Sequence, residues 1–478
     1  MSTRPTSTER HADATQDQGG PDTSELAERA EELLALALAA GADEAEVAAS
    51  ASRSVSLGFE KGEAKTAQVE RARALGLRVF VDRRLGFVST NQLHRGALHA
   101  AAEDAIALAR SSPRDEANVL PAPRIADETS LTPAALRAAL DPRLADFGID
   151  AVVAHASDFV ASVRDRDPRL SVDQAHVTGR IEAFLLRASN GLALEQTDAS
   201  ASGSVFGMAI AGSDVGGFDA RGTMTRTLDA LAQSLAQIGA RFAETALGNL
   251  GAGAGESYRG PVLLSPEAFH AMLLGPLVAA SSAIAVQRKR SRLAGAVGTA
   301  IAVPGLTVHD DPTDLALAGA SAFDREGQPA TRRALVSEGR LESYLYNGYA
   351  AAVDGVASTG NAMGGARSLP GLGTHALVVD GGDGGDEAAL VRTLGRGLVV
   401  QRFSGSVDPA SGDFSGVAKS ARWVEHGALA RPVREVLLAG NAFELLRGAL
   451  VLASEPELVS GGARIPWVIV DGLTVTAG

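Results

Sequence analysis

The most constraining feature of the sequence is an abrupt change of period near residue 41. Before it, apolar residues such as Leu26 and Leu33 recur at helical spacing, which predicts an amphipathic helix over residues 24–40. After it, apolar and polar residues alternate, which predicts strands over residues 46–52, 54–61, 62–71, 74–81 and 85–90. Because strands joined by short turns pair antiparallel, we expect a meander, covered on one face by a second helix over residues 93–110.

The same order of helices and strands returns in the next part of the chain. Prolines mark residues 111–132 as a linker or an excursion at a sheet edge. Helices are predicted over residues 134–140, 149–166 and 228–247, and strands over residues 170–179, 181–189, 193–212 and 215–225. Asn190-Gly191 is the strongest hairpin signal in the chain.

From about residue 251 the chain is glycine-rich and mostly extended. Strands are predicted over residues 332–337, 340–345, 376–380, 397–406, 415–425, 429–432 and 467–470, with helices over residues 390–396 and 442–450. We therefore predict an α+β fold. Its expected parts are a disordered tail (1–23), an N-terminal helix-plus-antiparallel-sheet domain (24–112), a middle α+β domain (113–250) and a larger β-rich C-terminal domain (251–478).

A clear helix start lies at the beginning of that third region. Ser265 is placed to act as N-cap, Pro266 suits the first helical position, and Glu267 lies in the first turn, where the helix dipole favours a carboxylate. The Gly-Pro pair at residues 275–276 is predicted to kink this helix. A single histidine, His270, lies on it, without the adjacent glutamate and second histidine of a zinc peptidase helix.

Composition limits the possible functions of the chain. At 478 residues it is long enough for two or three domains, and its formal charge of -13 argues against general nucleic-acid binding. It contains no cysteine, which excludes disulfides, thiolate zinc ligands and cysteine nucleophiles within this chain. The sequence shows no long apolar run and no signal-peptide pattern, so we expect a cytoplasmic protein.

Residues 358–365 form the most suggestive small-residue stretch. Ser358, Thr359, Gly360 and Asn361 combine hydroxyls, an amide and a glycine that allows another backbone to come close. This composition suits a rim that contacts a peptide or a partner, and it equally suits an ordinary surface loop.

Other side chains are weaker candidates. Tyr344 and Tyr346 lie just upstream of that stretch and suit an interface, because tyrosine is favoured where one end is dry and the other wet. His309, Asp310 and Asp311 could offer mixed metal ligands, although the same sequence is typical of a plain turn.

Several stretches together resemble the TldD/PmbA family, historically called modulators of DNA gyrase, and its PmbA (TldE) branch in particular. The matches begin after about residue 25 and keep their order and spacing along the chain. They are residues 75–81 (LGLRVFV), 86–90 (GFVST), 261–267 (PVLLSPE), 306–312 (LTVHDDP), 323–324 with 326–327 (FD, EG), 358–362 (STGNA), 405 with 411–415 (G, SGDFS) and 439–441 (AGN).

The resemblance implies a two-subunit zinc peptidase. In that family the TldD subunit carries a His-Glu-x-x-x-His helix and a cysteine, and it cuts unfolded peptides in a cavity closed by its TldE partner. Aligned on Glu267, the two histidines become Pro266 and Ala271 in this chain; started at His270, the base becomes Ala271 and the second histidine Gly275. The resemblance thus implies a degenerate active-site helix, no catalytic or metal residue and no cofactor in this chain, and zinc in a TldD-type partner.

Two alternatives stay open. The chain could be a stand-alone homodimeric regulatory or binding protein for peptides or a gyrase-related partner. It could instead be an independent hydrolase that uses His270 or His309 with nearby carboxylates.

Overall fold

A computed structural model gives the fold and describes residues 23–434 and 436–477. The tail predicted at residues 1–23 therefore lies outside the described residues, except for Thr23, which precedes the first helix. None of the helices in the described ranges is long and apolar enough to cross a membrane.

The first half of the chain builds one antiparallel sheet with helices packed against it. Its helices are α1 (Ser24–Ala39), α2 (Arg95–Ser111), α3 (Pro133–Ala138), α4 (Pro142–Ala145), α5 (Ile149–Arg164) and α6 (Leu228–Gly248). Its strands are β1 (Glu44–Glu60), β2 (Glu63–Val81), β3 (Arg84–Thr90), β4 (Leu170–Ala188), β5 (Ala193–Ala211), β6 (Asp214–Val215) and β7 (Asp219–Thr225). The strand order is β3-β2-β1-β4-β5-β6, with β7 also pairing with β5.

Long uninterrupted strands join the two segments that the sequence divides into separate domains. β1 pairs with β2 on one side and with β4 on the other. The strand breaks predicted at residues 53, 72–73 and 180 are wrong. Arg53 stays within β1 and donates to the carbonyls of Ala145 and Phe147. Gly179 stays within β4, where a Cβ atom would lie 2.1 Å from the ring of Phe147, so this glycine provides room for packing.

The second half is richer in strands. Its helices are α7 (Pro266–Phe269), a π-helical turn (His270–Leu274), α8 (Gly275–Ala280), α9 (Ala283–Gln287), α10 (Gly348–Asp354), α11 (Glu387–Leu394) and α12 (Ala442–Arg447). Its strands are β8 (Gly253–Ala254), β9 (Tyr258–Leu264), β10 (Val308–Asp310), β11 (Arg333–Ser337), β12 (Arg340–Leu341), β13 (Ala362–Met363), β14 (Gly371–Leu372), β15 (Leu377–Val379), β16 (Gly397–Val407), β17 (Asp413–Glu425), β18 (Ala428–Arg434), β19 (Val436–Asn441), β20 (Leu450–Leu452), β21 (Glu457–Val459), β22 (Ala463–Ile465) and β23 (Val468–Ala477). The predicted α+β class is confirmed.

The largest sheet of this half closes on itself. β16 pairs with β9, β9 with β23, β23 with β19, and β19 with β17, which returns to β16. A six-stranded sheet, β12-β11-β10-β15-β22-β21, lies beside this closed sheet. The main apolar core of the second half contains Val262, Leu398 and Val470 from the closed sheet, together with Phe269 and Leu273 from the helix that follows β9.

The helical segment that follows β9 begins as the sequence predicts, and its pitch widens before Pro276. The Ser265 hydroxyl accepts from the Ala268 amide, and Pro266 occupies the first turn, which confirms the predicted cap. A π-helical turn then precedes α8, in which Pro276 lies in the first turn. Because proline has no N–H and its ring crowds the preceding turn, the wider turn accommodates it without ending the helix. The irregularity thus lies just before the predicted kink.

Candidate functional site

The start of α7 faces a cleft of about 510 Å³ between the two halves of the molecule. Pro266, Glu267 and Arg241 of α6 are among the residues that line it. Trp467 and Glu457 line a further side, where the indole N–H donates to the Glu457 carboxylate over 2.7 Å. The helix that the sequence marks as a degenerate catalytic element therefore borders a cavity large enough for part of a peptide.

Arg221 pairs with two carboxylates at this end of the cleft. Arg221 donates from Nε to Asp219 over 2.8 Å, and its Nη1 lies 3.2 and 3.1 Å from the two carboxylate oxygens of Glu267. Burial raises the pKa of Asp219, although Arg221 and Arg402 oppose that effect. The Glu267 carboxylate is thus already engaged by a cation, which makes it a poor candidate for a general base.

Asp219 and Arg221 were not among the predicted site residues. They lie two positions apart on β7 and are both buried, so they project from the same face of the strand. Two charged residues on the buried face of a strand are the signal that could have drawn attention to them.

The predicted residues on the exposed side of the helix do not assemble a metal site. His270 and Ala271 are exposed, and the surrounding protein lowers the pKa of the His270 imidazole by desolvation. No group of three or more histidine, aspartate or glutamate side chains within residues 23–434 and 436–477 is arranged to hold a metal ion.

The His309, Asp310 and Asp311 side chains diverge. His309 Nε2 lies 3.2 Å from Asp380, whereas Asp311 accepts from the amide and hydroxyl of Thr313, as in a turn. Asp310 is buried and its pKa is raised by that burial. Of the two interpretations of this sequence, the structure favours the turn.

Residues 358–361 lie inside the molecule. Asn361 donates to Asp310 over 2.6 Å and accepts from the Thr359 hydroxyl over 2.7 Å, while Ser358 donates to the carbonyl of Tyr346 over 3.0 Å. A Cβ atom on Gly360 would lie 2.5 Å from the carbonyl oxygen of Pro329, so the predicted close backbone approach occurs within this chain. These side chains thus bond to other parts of the C-terminal half, and contact with a peptide or partner stays a prediction.

The two predicted tyrosines differ in environment. Tyr344 is buried and donates to the carbonyl of Leu293 over 2.6 Å. Tyr346 donates to Asp354 over 3.0 Å, and partial burial, followed by the neighbouring carboxylate, raises its pKa to about 12. Tyr346 is the one of the pair with access to the surface.

A buried ion network, which the sequence did not reveal, links the two halves. Arg78 donates to Glu46 over 2.8 Å and to Glu326 over 2.7 Å, and Arg325 also donates to Glu46 over 2.8 Å. These side chains are at most 5% exposed. Nearby, burial and then the Glu326 charge raise the pKa of Asp324 to about 7, even though it accepts three backbone amides.

Comparison with known proteins defines the class. Residues 45–109 match the PmbA/TldA metallopeptidase domain 1, and residues 257–477 match the PmbA/TldA metallopeptidase C-terminal domain. Metalloprotease PmbA of Escherichia coli O157:H7 is 27% identical over 92% of this chain and 94% of that protein. An uncharacterized protein of Methanocaldococcus jannaschii is 34% identical over 41% of this chain and 46% of that protein.

A solved structure supports the same fold. TldE from Thermococcus kodakarensis matches with a TM-score of 0.84 at 23% sequence identity, covering 94% of this chain and all of that one. The two proteins thus share one α+β fold with a strand-rich C-terminal region. Since the two matched domains cover more than half of the sequence, the chain belongs to the PmbA/TldD metallopeptidase family, as its sequence predicts.

Proposed function

We propose that this chain is a TldE-type, non-catalytic subunit of a cytoplasmic heterodimeric zinc metallopeptidase that degrades or processes unfolded peptides. The observation that carries the proposal is α7 with the π-helical turn that follows it, which present Pro266, Glu267 and Ala271 where a TldD-type subunit is expected to carry its zinc-binding motif. Proline and alanine side chains have no donor atom for a metal.

The remaining residues do not fit zinc either. Both oxygens of Glu267 are engaged by Arg221, so this carboxylate is neither a free ligand nor a free base. The sequence contains no cysteine to serve as a thiolate ligand. We therefore derive no hydrolytic step in this chain and assign the metal to the partner.

In such a complex this chain would supply a surface that binds the peptide. The cleft in front of Glu267 offers acidic, basic and aromatic groups, among them Arg241, Glu387 and Trp467. Arg241 pairs with Glu387 over 2.7 Å and lies over the Trp467 ring at 5.5 Å, so this wall is held in place before any ligand arrives. A preorganised polar wall suits peptide binding, because little side-chain entropy remains to be lost.

Reconstitution tests the proposal. The purified chain, a TldD-type subunit from the same source and their mixture are each incubated with an unfolded peptide, and cleavage is followed by mass spectrometry. We expect no cleavage by this chain alone, full cleavage by the mixture, and co-elution of the two chains in size-exclusion chromatography. Cleavage by this chain alone would overturn the proposal, as would a stable homodimer that neither exchanges with the partner nor alters its activity.

A further inference from the structure

A second cavity, of about 650 Å³, lies where the first half meets the closed sheet. We call it the basic groove and define it by three cations and three apolar side chains. These are Arg402, Lys419, Arg434, Phe206, Phe218 and Leu437. Within residues 23–434 and 436–477, none of the residues that line the groove is acidic, although the chain as a whole has a formal charge of -13.

The positions of these cations are unfavourable for folding, because two of them repel each other. Arg402 of β16 and Lys419 of β17 are direct cross-strand partners, and like charges in such positions repel. Arg402 is partly compensated by Asp219 at 3.6 Å. Within the described part of the chain, the side chains of Lys419 and Arg434 form no hydrogen bond or ion pair. Two uncompensated cations therefore face this groove.

The apolar part of the groove is open to solvent. Phe206 and Phe218 stack with ring centroids 5.1 Å apart and an interplanar angle of 12°. Phe218 is 51% exposed and Leu437 is 46% exposed. Large apolar side chains beside unpaired cations suit a ligand that carries both carboxylates and an apolar group.

We propose that the basic groove binds an acidic segment of an unfolded peptide, in which aspartate or glutamate side chains flank an aromatic or aliphatic residue. This inference rests on the proposed function and names the peptide class that the complex would prefer. The carboxylates would pair with Lys419 and Arg434, and the apolar residue would pack on Phe218 and Leu437. A polyanionic nucleic acid fits less well, because three cations compete with the net negative charge of the chain.

Fluorescence anisotropy with the isolated full chain tests the groove without involving cleavage. The probe is a labelled, C-terminally amidated peptide with two glutamates on each side of a phenylalanine, compared with the same peptide carrying glutamines. We expect the acidic peptide to bind at least tenfold more tightly at low salt, and this preference to shrink as the salt concentration rises. Equal affinity for the two peptides would overturn the proposal.

Paired variants locate the binding. Lys419→Glu with Arg434→Glu should weaken the acidic peptide at least tenfold, and the milder Lys419→Gln with Arg434→Gln should weaken it by a smaller factor. Lys289→Glu with Arg290→Glu is the matched control, because it reverses one exposed lysine and one exposed arginine elsewhere and should leave binding unchanged. An equal loss in the control would show only a net-charge effect and would overturn the site.

Two further outcomes would also contradict the proposal. If the groove variants keep peptide affinity but no longer associate with a TldD-type subunit, the groove is a subunit contact. If an oligothymidylate, or a neutral peptide with a free C-terminal carboxylate, binds more tightly than the amidated acidic peptide, the ligand class is wrong. Because binding is measured on this chain alone, its failure leaves the reconstitution result unaffected.

Discussion

Arg78 and Arg221 each bridge two carboxylates, yet in different surroundings. Arg78 joins Glu46 and Glu326, and these side chains are 5%, 2% and 1% exposed. Arg221 joins Asp219 and Glu267, which are 0% and 37% exposed. The first bridge is sealed between the two halves of the chain, whereas the second leaves one carboxylate on the wall of a cleft.

This difference in exposure suits the Arg78 bridge to a structural role and the Arg221 bridge to a place at a functional site. A sealed ion network is hard to lose, since removing one member leaves buried charges without partners. A half-open network tolerates change at its exposed end, where water can replace a lost partner. The exposed end of the second bridge, at Glu267, should therefore tolerate substitution without unfolding the chain.

The largest effect is expected at the sealed bridge. Arg78→Met should lower the free energy of unfolding by about 3–5 kcal/mol, because Glu46 and Glu326 then lose a buried cation. Urea unfolding followed by circular dichroism measures this change. Arg73→Met, which removes an exposed pair with Glu25, is the control and should cost no more than about 1 kcal/mol. Equal costs for the two variants would remove the distinction between sealed and open pairs.

A smaller effect is expected at the half-open bridge. Arg221→Met should cost about 1–3 kcal/mol, because Asp219 keeps only the more distant Arg402. The pKa of Asp219 is already raised by burial, so this carboxylate can take up a proton when its partner is lost. The cost should accordingly be smaller at pH 5 than at pH 8 in urea titrations. A cost as large as that of Arg78→Met at both pH values would refute the comparison.

Asp324, next to the sealed Arg78 bridge, should also make the free energy of unfolding depend on pH. The pKa of Asp324 is raised to about 7 in the folded protein, so the folded state binds more protons than the unfolded state between pH 4 and 7. Stability contributed by this group is complete below pH 4 and lost as pH rises through 7, on the order of 1 kcal/mol per unit of pKa displacement. Asp324→Asn should flatten this part of the pH profile, whereas Asp127→Asn, at an exposed site, should not.

The smallest effect is expected at the exposed end of the second bridge. Glu267→Gln should change the free energy of unfolding by less than about 1 kcal/mol, because the pair is partly solvated. It should also leave peptide cleavage by the reconstituted heterodimer within twofold of the unaltered complex. A loss of activity of a hundredfold with unchanged stability would instead make Glu267 a working base.

The sequence predicts local structure well where capping and periodicity act alone. The cap at Ser265, the helix at Ser24–Ala39 and the hairpin at Asn190-Gly191 all follow from short-range patterns. The predicted strand breaks at residues 53 and 180 are wrong because β1 and β4 continue through them, past Arg53 and Gly179. Only the structure shows that Phe147 and its carbonyl require both of them.

Contacts between distant residues could not be predicted in this way. Arg78 and Glu326 are 248 positions apart, and no local pattern brings them together. The burial of Asn361 against Asp310, 51 positions away, is another contact that its small, polar neighbours do not predict. The closing pair of strands, β16 and β17, is likewise a tertiary feature. The family resemblance predicts the identity of the helix at Pro266, whereas the contact of Arg221 with Glu267 joins residues 46 positions apart and is visible only in the structure.

The central claim is that this chain has no zinc site of its own and works beside a metal-binding partner. Its most direct test is the zinc content of the isolated full chain, measured by inductively coupled plasma mass spectrometry after incubation with zinc and dialysis, beside a TldD-type subunit treated identically. We predict far less than one zinc per molecule of this chain and about one per molecule of the partner. One tightly held zinc per molecule of this chain would contradict the account.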